Sequence, residues 1–193
     1  MSLRIYLSLA ALLLVITQWP DIQFWLAWDR QAIVHGEIWR ILTGNLTHTN
    51  WPHMIMNTLA LAIISFIFRA HIRLKPFTVL LLGLSTLVGL AILASEIRWY
   101  VGLSGVLHGV FAWGAVKDIQ TRQQGGWLLL LGLGGKIGWE QIAGGSASSE
   151  ALIGARVATE AHLAGALAGV AIAVSCIAWQ RYRKRRDTQH NNI

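Results

Sequence analysis

Six apolar stretches, at roughly 3 to 19, 51 to 68, 77 to 95, 102 to 116, 127 to 142 and 157 to 179, constrain this chain more than any other feature. A membrane core about 30 Å thick takes about 20 apolar residues in a helix rising about 1.5 Å per residue. The expected fold class is therefore an all-α membrane protein, a bundle of six transmembrane helices whose fourth, of about 15 residues or roughly 22 Å, is short. Composition agrees: 54% of the 193 residues are hydrophobic and 13% charged, with a mean hydropathy of +0.50, too apolar for an ordinary soluble domain.

The net charge of +7 and the pI near 10.3 would fit a nucleic-acid binder, but five of the sixteen basic residues lie in RYRKRR, directly behind the last apolar run. A basic stop behind a membrane helix reads as a cytoplasmic anchor, so no nucleic-acid partner is expected. The chain divides into a membrane domain, 1–180, and a basic cytoplasmic tail, 181–193. Cys176 is the single cysteine and lies inside the last run, which leaves no disulfide framework and no cysteine metal cluster. No cofactor is expected. The N-terminal run has no small-x-small cleavage site before Trp19-Pro20 and reads as a retained first span.

Basic residues set direction. Arg4; Arg69, Arg73 and Lys75; Lys117 and Arg122; and the terminal run fall on one side, against only Arg30, Arg40, Arg98 and Arg156 on the other. The positive-inside rule then places both termini in the cytoplasm, as in a multi-pass protein of a bacterial inner membrane. The long first outer loop, 20 to 50, carries Trp25, Trp28 and Trp39, as a segment lying at the lipid interface would.

Polar residues inside spans are costly and default to functional hypotheses. Here they are His53, Asn57, Ser104, His108, Lys136, Glu140, Glu160 and His162. Counting up from the cytoplasmic ends at about 1.5 Å per residue puts Ser104 roughly 20 Å, His162 roughly 25 Å, His53 roughly 24 Å and Asn57 roughly 18 Å deep into their spans. Four polar residues from three helices share one layer. The short fourth span starts within the membrane, so the Tyr100 to Gly105 turn, with Gly102 and Gly105, implies a water-bearing cavity open to the outside.

A serine there needs a base, and His162 is at matching depth. His53 and Asn57, four residues apart on one helical face, are placed to stabilise an oxyanion together with the Ser104 N–H. No intramembrane aspartate is available to orient the histidine, which predicts a dyad. Lys136 and Glu140 read as a buried pair neutralising each other; Lys136, roughly 14 Å up its span, falls well below Ser104. Plainer readings stand beside these. GxSG at a membrane helix start, like Gly165 and Gly169 in HLAGALAGV, is most often small-residue packing, and membrane histidines are more often hydrogen-bonded interior residues than bases.

Taken together, EIWR at Glu37 to Arg40 with Trp39 and Arg40, then His48, His53 and Asn57 in HTNWPHMIMN, GLSG at 102 to 105 and AHLAGALAG at 161 to 169 resemble the rhomboid intramembrane serine proteases. The resemblance implies Ser104 as nucleophile, His162 as base, His53 and Asn57 at the oxyanion, and a membrane-anchored protein substrate cleaved near the outer face, with membrane lipid around it. The small size, the histidine in GLSGVLHG and the pattern GKIGWEQ look more like the rhombosortase branch. That branch is associated with exported substrates bearing a C-terminal tail of Gly-Gly, a membrane helix and a basic end. His108 departs from the family pattern, where a tyrosine packs against the catalytic histidine, and is expected to take over that support. Two other readings fit the same residues: a non-catalytic rhomboid-like binding protein, and a b-type haem protein using His53, His108 and His162.

Overall fold

A computed structural model describes residues 1–190 of the chain, which are mostly helical. Helix α1 is Leu3–Ile16; the outer loop folds into α2 (Pro20–Leu26), a two-residue strand β1 (Trp28–Asp29), α3 (Arg30–Val34) and α4 (Arg40–Thr43). Then come α5 (Trp51–Ile67), α6 (Leu74–Ile92), β2 (Trp99–Tyr100), α7 (Ser104–Gln120), α8 (Gly126–Ala143), α9 (Ala147–Ile153) and α10 (Thr159–His190).

Each expected apolar run has become a helix, with shifted ends. The first stops at Ile16 instead of residue 19, because Pro20 suits the first turn of a new helix and not the interior of an old one. The chain turns by 98° there. By length and apolarity alone, two helices among the described residues are sufficient to cross a membrane, Leu74–Ile92 and Thr159–Thr188, with a third if α1 and α2 form one bent span. Helix α10 continues through RYRKRR to His190, and of the expected tail only 191–193 lie outside the described residues. Large apolar side chains such as Leu12, Ile63, Phe66, Leu131 and Ile142 stand exposed on the outer faces, a surface suited to lipid.

Helix α7 is the centre, packed on α5, α6, α8 and α10, with Val106, Val110, Ala112 and Ala115 fully buried. Small residues let it meet α10 backbone to backbone. A Cβ added at Gly165 would stand 1.8 Å from the Gly105 carbonyl oxygen, and one at Gly169 would stand 2.0 Å from that of Gly109. The packing reading of these glycines is thus met in the fold.

The outer loop is tied down by side chains instead of floating on lipid. Trp28, expected at the interface, is fully buried and donates its indole N–H to the Gly89 carbonyl at 3.0 Å. Trp25 and Trp39 are exposed, and Trp39 donates to the Trp25 carbonyl. Buried Arg40 donates to Glu37 at 2.6 Å and to the Phe24 and Ala27 carbonyls at 2.7 and 2.8 Å. Arg30 donates to four carbonyls, of Ile92, Leu93, Ser95 and Ile97, around the C-terminal end of α6. The antiparallel pairing of Trp28 with Tyr100 then joins this loop to the turn that precedes Ser104.

Candidate active site

Ser104 is the first residue of α7, and no side chain caps that helix, so the partial positive charge of its N-terminus is left for whatever sits before it. The turn leading in needs glycine at 102, where φ is +130° and a Cβ would lie 2.8 Å from the His53 ring. Gly102 donates its N–H to the Gly44 carbonyl at 3.1 Å, while its own carbonyl accepts from the buried Tyr100 hydroxyl at 2.6 Å. The serine is therefore delivered by a turn whose backbone is held from two sides.

The α7–α10 crossing brings His162 to it. Ser104 Oγ and His162 Nε2 are 2.9 Å apart, and the His162 side chain is 7% exposed. From α8, Glu140 Oε2 reaches His162 Nδ1 at 2.9 Å, and its other oxygen, Oε1, accepts from Lys136 Nζ at 2.5 Å. Two sequence-based expectations are corrected here: His162 does have an acidic partner, and Lys136 and Glu140, although paired, are not a remote buried pair. Lys136 is 49% exposed, and Glu140 touches the histidine. The missed signal was depth. Glu140 is one turn nearer the outer face than Lys136, about 6 Å further up, which is the level of Ser104.

His108, one turn below Ser104, bonds its own helix through Nδ1 and the Ser104 carbonyl at 2.7 Å and lays its ring on His162, centroids 4.0 Å apart and planes 18° from parallel. His53, Asn57, Ser104 and His162 all line one open cleft of about 1360 Å³ between α5, α7, α8 and the segment carrying α9. The Asn57 Nδ2 amide is buried there with no hydrogen-bond partner among the described residues. His48 is fully buried and meets His53 edge-on at 4.9 Å. Trp39 and Arg40 instead brace the outer loop, as described above.

The bonds around His53 assign its tautomer. Thr49 Oγ1 lies 2.6 Å from the Ile153 carbonyl, which can only accept, so the hydroxyl proton is spent there. At 3.0 Å the same oxygen must then accept from His53 Nδ1–H, leaving Nε2 of the neutral ring without a proton. A neutral His53 held this way presents an acceptor, whereas the oxyanion role expected of it needs a donor.

The chain also matches the family model described as the rhomboid domain, over residues 35–179, well over half its length. It belongs to the rhomboid family. None of the curated proteins compared with it matches. Rhomboids are generally serine intramembrane proteases acting on membrane-protein substrates, and this rhomboid is an integral membrane protein.

In this rhomboid His108, Glu140 and His162 offer nitrogen and carboxylate atoms within 4.8 Å of one another, the composition of a metal site. The ring geometry argues against shared ligation: nitrogen lone pairs lie in the ring planes, and two rings stacked 4.0 Å apart send them side by side instead of converging on one ion. The same stacking leaves no room for a haem between His108 and His162.

Proposed function

We propose that this rhomboid is an intramembrane serine endopeptidase with Ser104 as nucleophile and His162 as general base. The observation that carries the reading is the 2.9 Å contact between Ser104 Oγ and His162 Nε2 on the wall of an open cleft. Ser104 Oγ attacks the scissile carbonyl carbon while its proton passes to His162 Nε2. The oxyanion formed is met by the Ser104 N–H at the uncapped start of α7 and by the unpartnered Asn57 amide. His162 returns the proton to the leaving nitrogen as the C–N bond breaks. A water then attacks the acyl ester through the same base and restores the serine.

The substrate is a membrane-anchored protein. It reaches Ser104 through the cleft between α5 and α8, whose walls include Met56, Ile63 and Leu128, apolar enough for a membrane helix. The six apolar runs are read as six spans of a bacterial inner membrane, and the basic-residue asymmetry puts both termini in the cytoplasm with the cleft mouth outward. GKIGWEQ and His108 favour the rhombosortase branch, and with it an exported substrate ending in Gly-Gly, a membrane helix and basic residues.

The test is incubation of the purified protein in detergent with such a tailed substrate, with mass analysis of the new C-terminus, alongside labelling by an alkyl fluorophosphonate. Cleavage and labelling that both vanish in Ser104→Ala support the reading. Equal labelling of folded Ser104→Ala overturns it.

A further inference from the structure

Glu140 is the one carboxylate in contact with the candidate base among the described residues, and both of its oxygens are committed. Oε1 takes a proton-bearing Lys136 Nζ at 2.5 Å, and Oε2 faces His162 Nδ1 at 2.9 Å. An ionised carboxylate only accepts, so Nδ1 must carry the hydrogen. A neutral imidazole has one N–H. Its Nε2 is then bare, and at 2.9 Å it can only accept, which is the state required to draw the proton from Ser104 Oγ.

We propose that Glu140 is a positioning residue of the reaction: anchored by Lys136, it holds His162 in the one tautomer that can act as base toward Ser104, so that the working unit is Ser104, His162 and Glu140. This inference rests on the reading of Ser104 and His162 given above. The groups come from three helices, and their order along one line, Lys136 to Glu140 to His162 to Ser104, has no other evident use. Glu140 sits four residues after Lys136 on α8, with its side chain 12% exposed, whereas that of Lys136 is 49% exposed. The lysine can therefore be removed with little cost to the fold, and this separates tautomer control from packing.

The geometry makes an unusual demand on the amide variant. In Glu140→Gln, Lys136 still requires an acceptor and takes the amide oxygen, which turns the NH₂ toward His162 Nδ1. A donor facing Nδ1 makes that nitrogen the acceptor and drives the hydrogen to Nε2, where it blocks the base. Removing the lysine as well frees the amide to turn its oxygen back to His162.

The experiment measures the second-order rate of labelling by an alkyl fluorophosphonate, in which Ser104 Oγ bonds to phosphorus, fluoride leaves and the hydroxyl proton goes to His162. Folding of every variant is followed by thermal unfolding in detergent. Glu140→Gln is expected to label up to about 10⁴-fold more slowly than the parent, the loss seen when the orienting aspartate of a serine–histidine pair is made asparagine. Lys136→Met/Glu140→Gln is expected to label faster than Glu140→Gln alone. A merely structural ion pair predicts the reverse, since the double variant loses more contacts. Parent-like labelling of Glu140→Gln, or a double variant no faster than the single, overturns the proposal while Ser104→Ala and His162→Ala stay unlabelled. Labelling of Ser104→Ala at the parent rate overturns the underlying assignment instead.

Discussion

The imidazole of His108 lies flat against that of His162, 4.0 Å between centroids and 18° between planes. Because His108 Nδ1 is engaged with the Ser104 carbonyl, the ring cannot swing away from the stack without breaking a 2.7 Å bond on its own helix. It thus limits the base from one face while Glu140 holds its edge.

His108→Ala should slow fluorophosphonate labelling by about 2- to 10-fold, the scale of one aromatic stacking contact of about 0.5 to 1.5 kcal/mol. His108→Tyr should stay closer to the parent, since it restores a flat ring with a polar tip. A fully active His108→Ala would mean that the stack is packing alone.

Asn57 and His53 should separate. Removing an oxyanion donor costs about 10²- to 10³-fold in rate, and the Asn57 amide is a buried donor of the cleft with no partner among the described residues. Asn57→Ala is therefore expected to fall by that amount in kcat with little change in KM. His53→Ala should fall less, because Thr49 holds its proton at Nδ1. Equal losses in the two variants, measured on a tailed substrate, would return His53 to the donor role.

The α7–α10 crossing should be intolerant of a single methyl group. Gly165→Ala would put a Cβ 1.8 Å from the Gly105 carbonyl, so the helices must separate, at a cost of about 1 to 3 kcal/mol. Gly134→Ala, on α8 with nothing within 4 Å, should be neutral or stabilising. Thermal unfolding in detergent decides, and a parent-like Gly165→Ala would contradict the tight crossing.

Arg30 should act as a structural latch. Arg30→Ala strips hydrogen bonds from four carbonyls around the C-terminal end of α6, and a loss on the order of 2 kcal/mol is expected. Arg30→Lys should recover little, because an ammonium cannot spread donors across a fork. The readouts are unfolding temperature and proteolysis of the 93–99 segment, and full recovery by lysine would show that only charge matters there.

Much of this protein is written locally. Helix locations follow from apolar runs, the break between α1 and α2 from Pro20, and the shared depth of His53, Asn57, Ser104 and His162 from counting residues along a helix. Gly105, Gly165 and Gly169 are legible for the same reason: small residues at regular spacing signal close backbones whatever the partner is.

Rotation about the helix axis and the choice of neighbour are what the tertiary structure alone decided. Lys136 and Glu140 make an i, i+4 pair in any helix, but whether that pair faces lipid, another helix or a catalytic histidine depends on how α8 packs on α7 and α10. Trp28 likewise has the composition of an interfacial residue until β1 pairs with β2 and draws it under α6. Thr49 assigns the His53 tautomer only because Ile153, about a hundred residues later, supplies a carbonyl. Depth is a sum over one helix and can be read from sequence, whereas facing is a relation between helices and exists only once they have met.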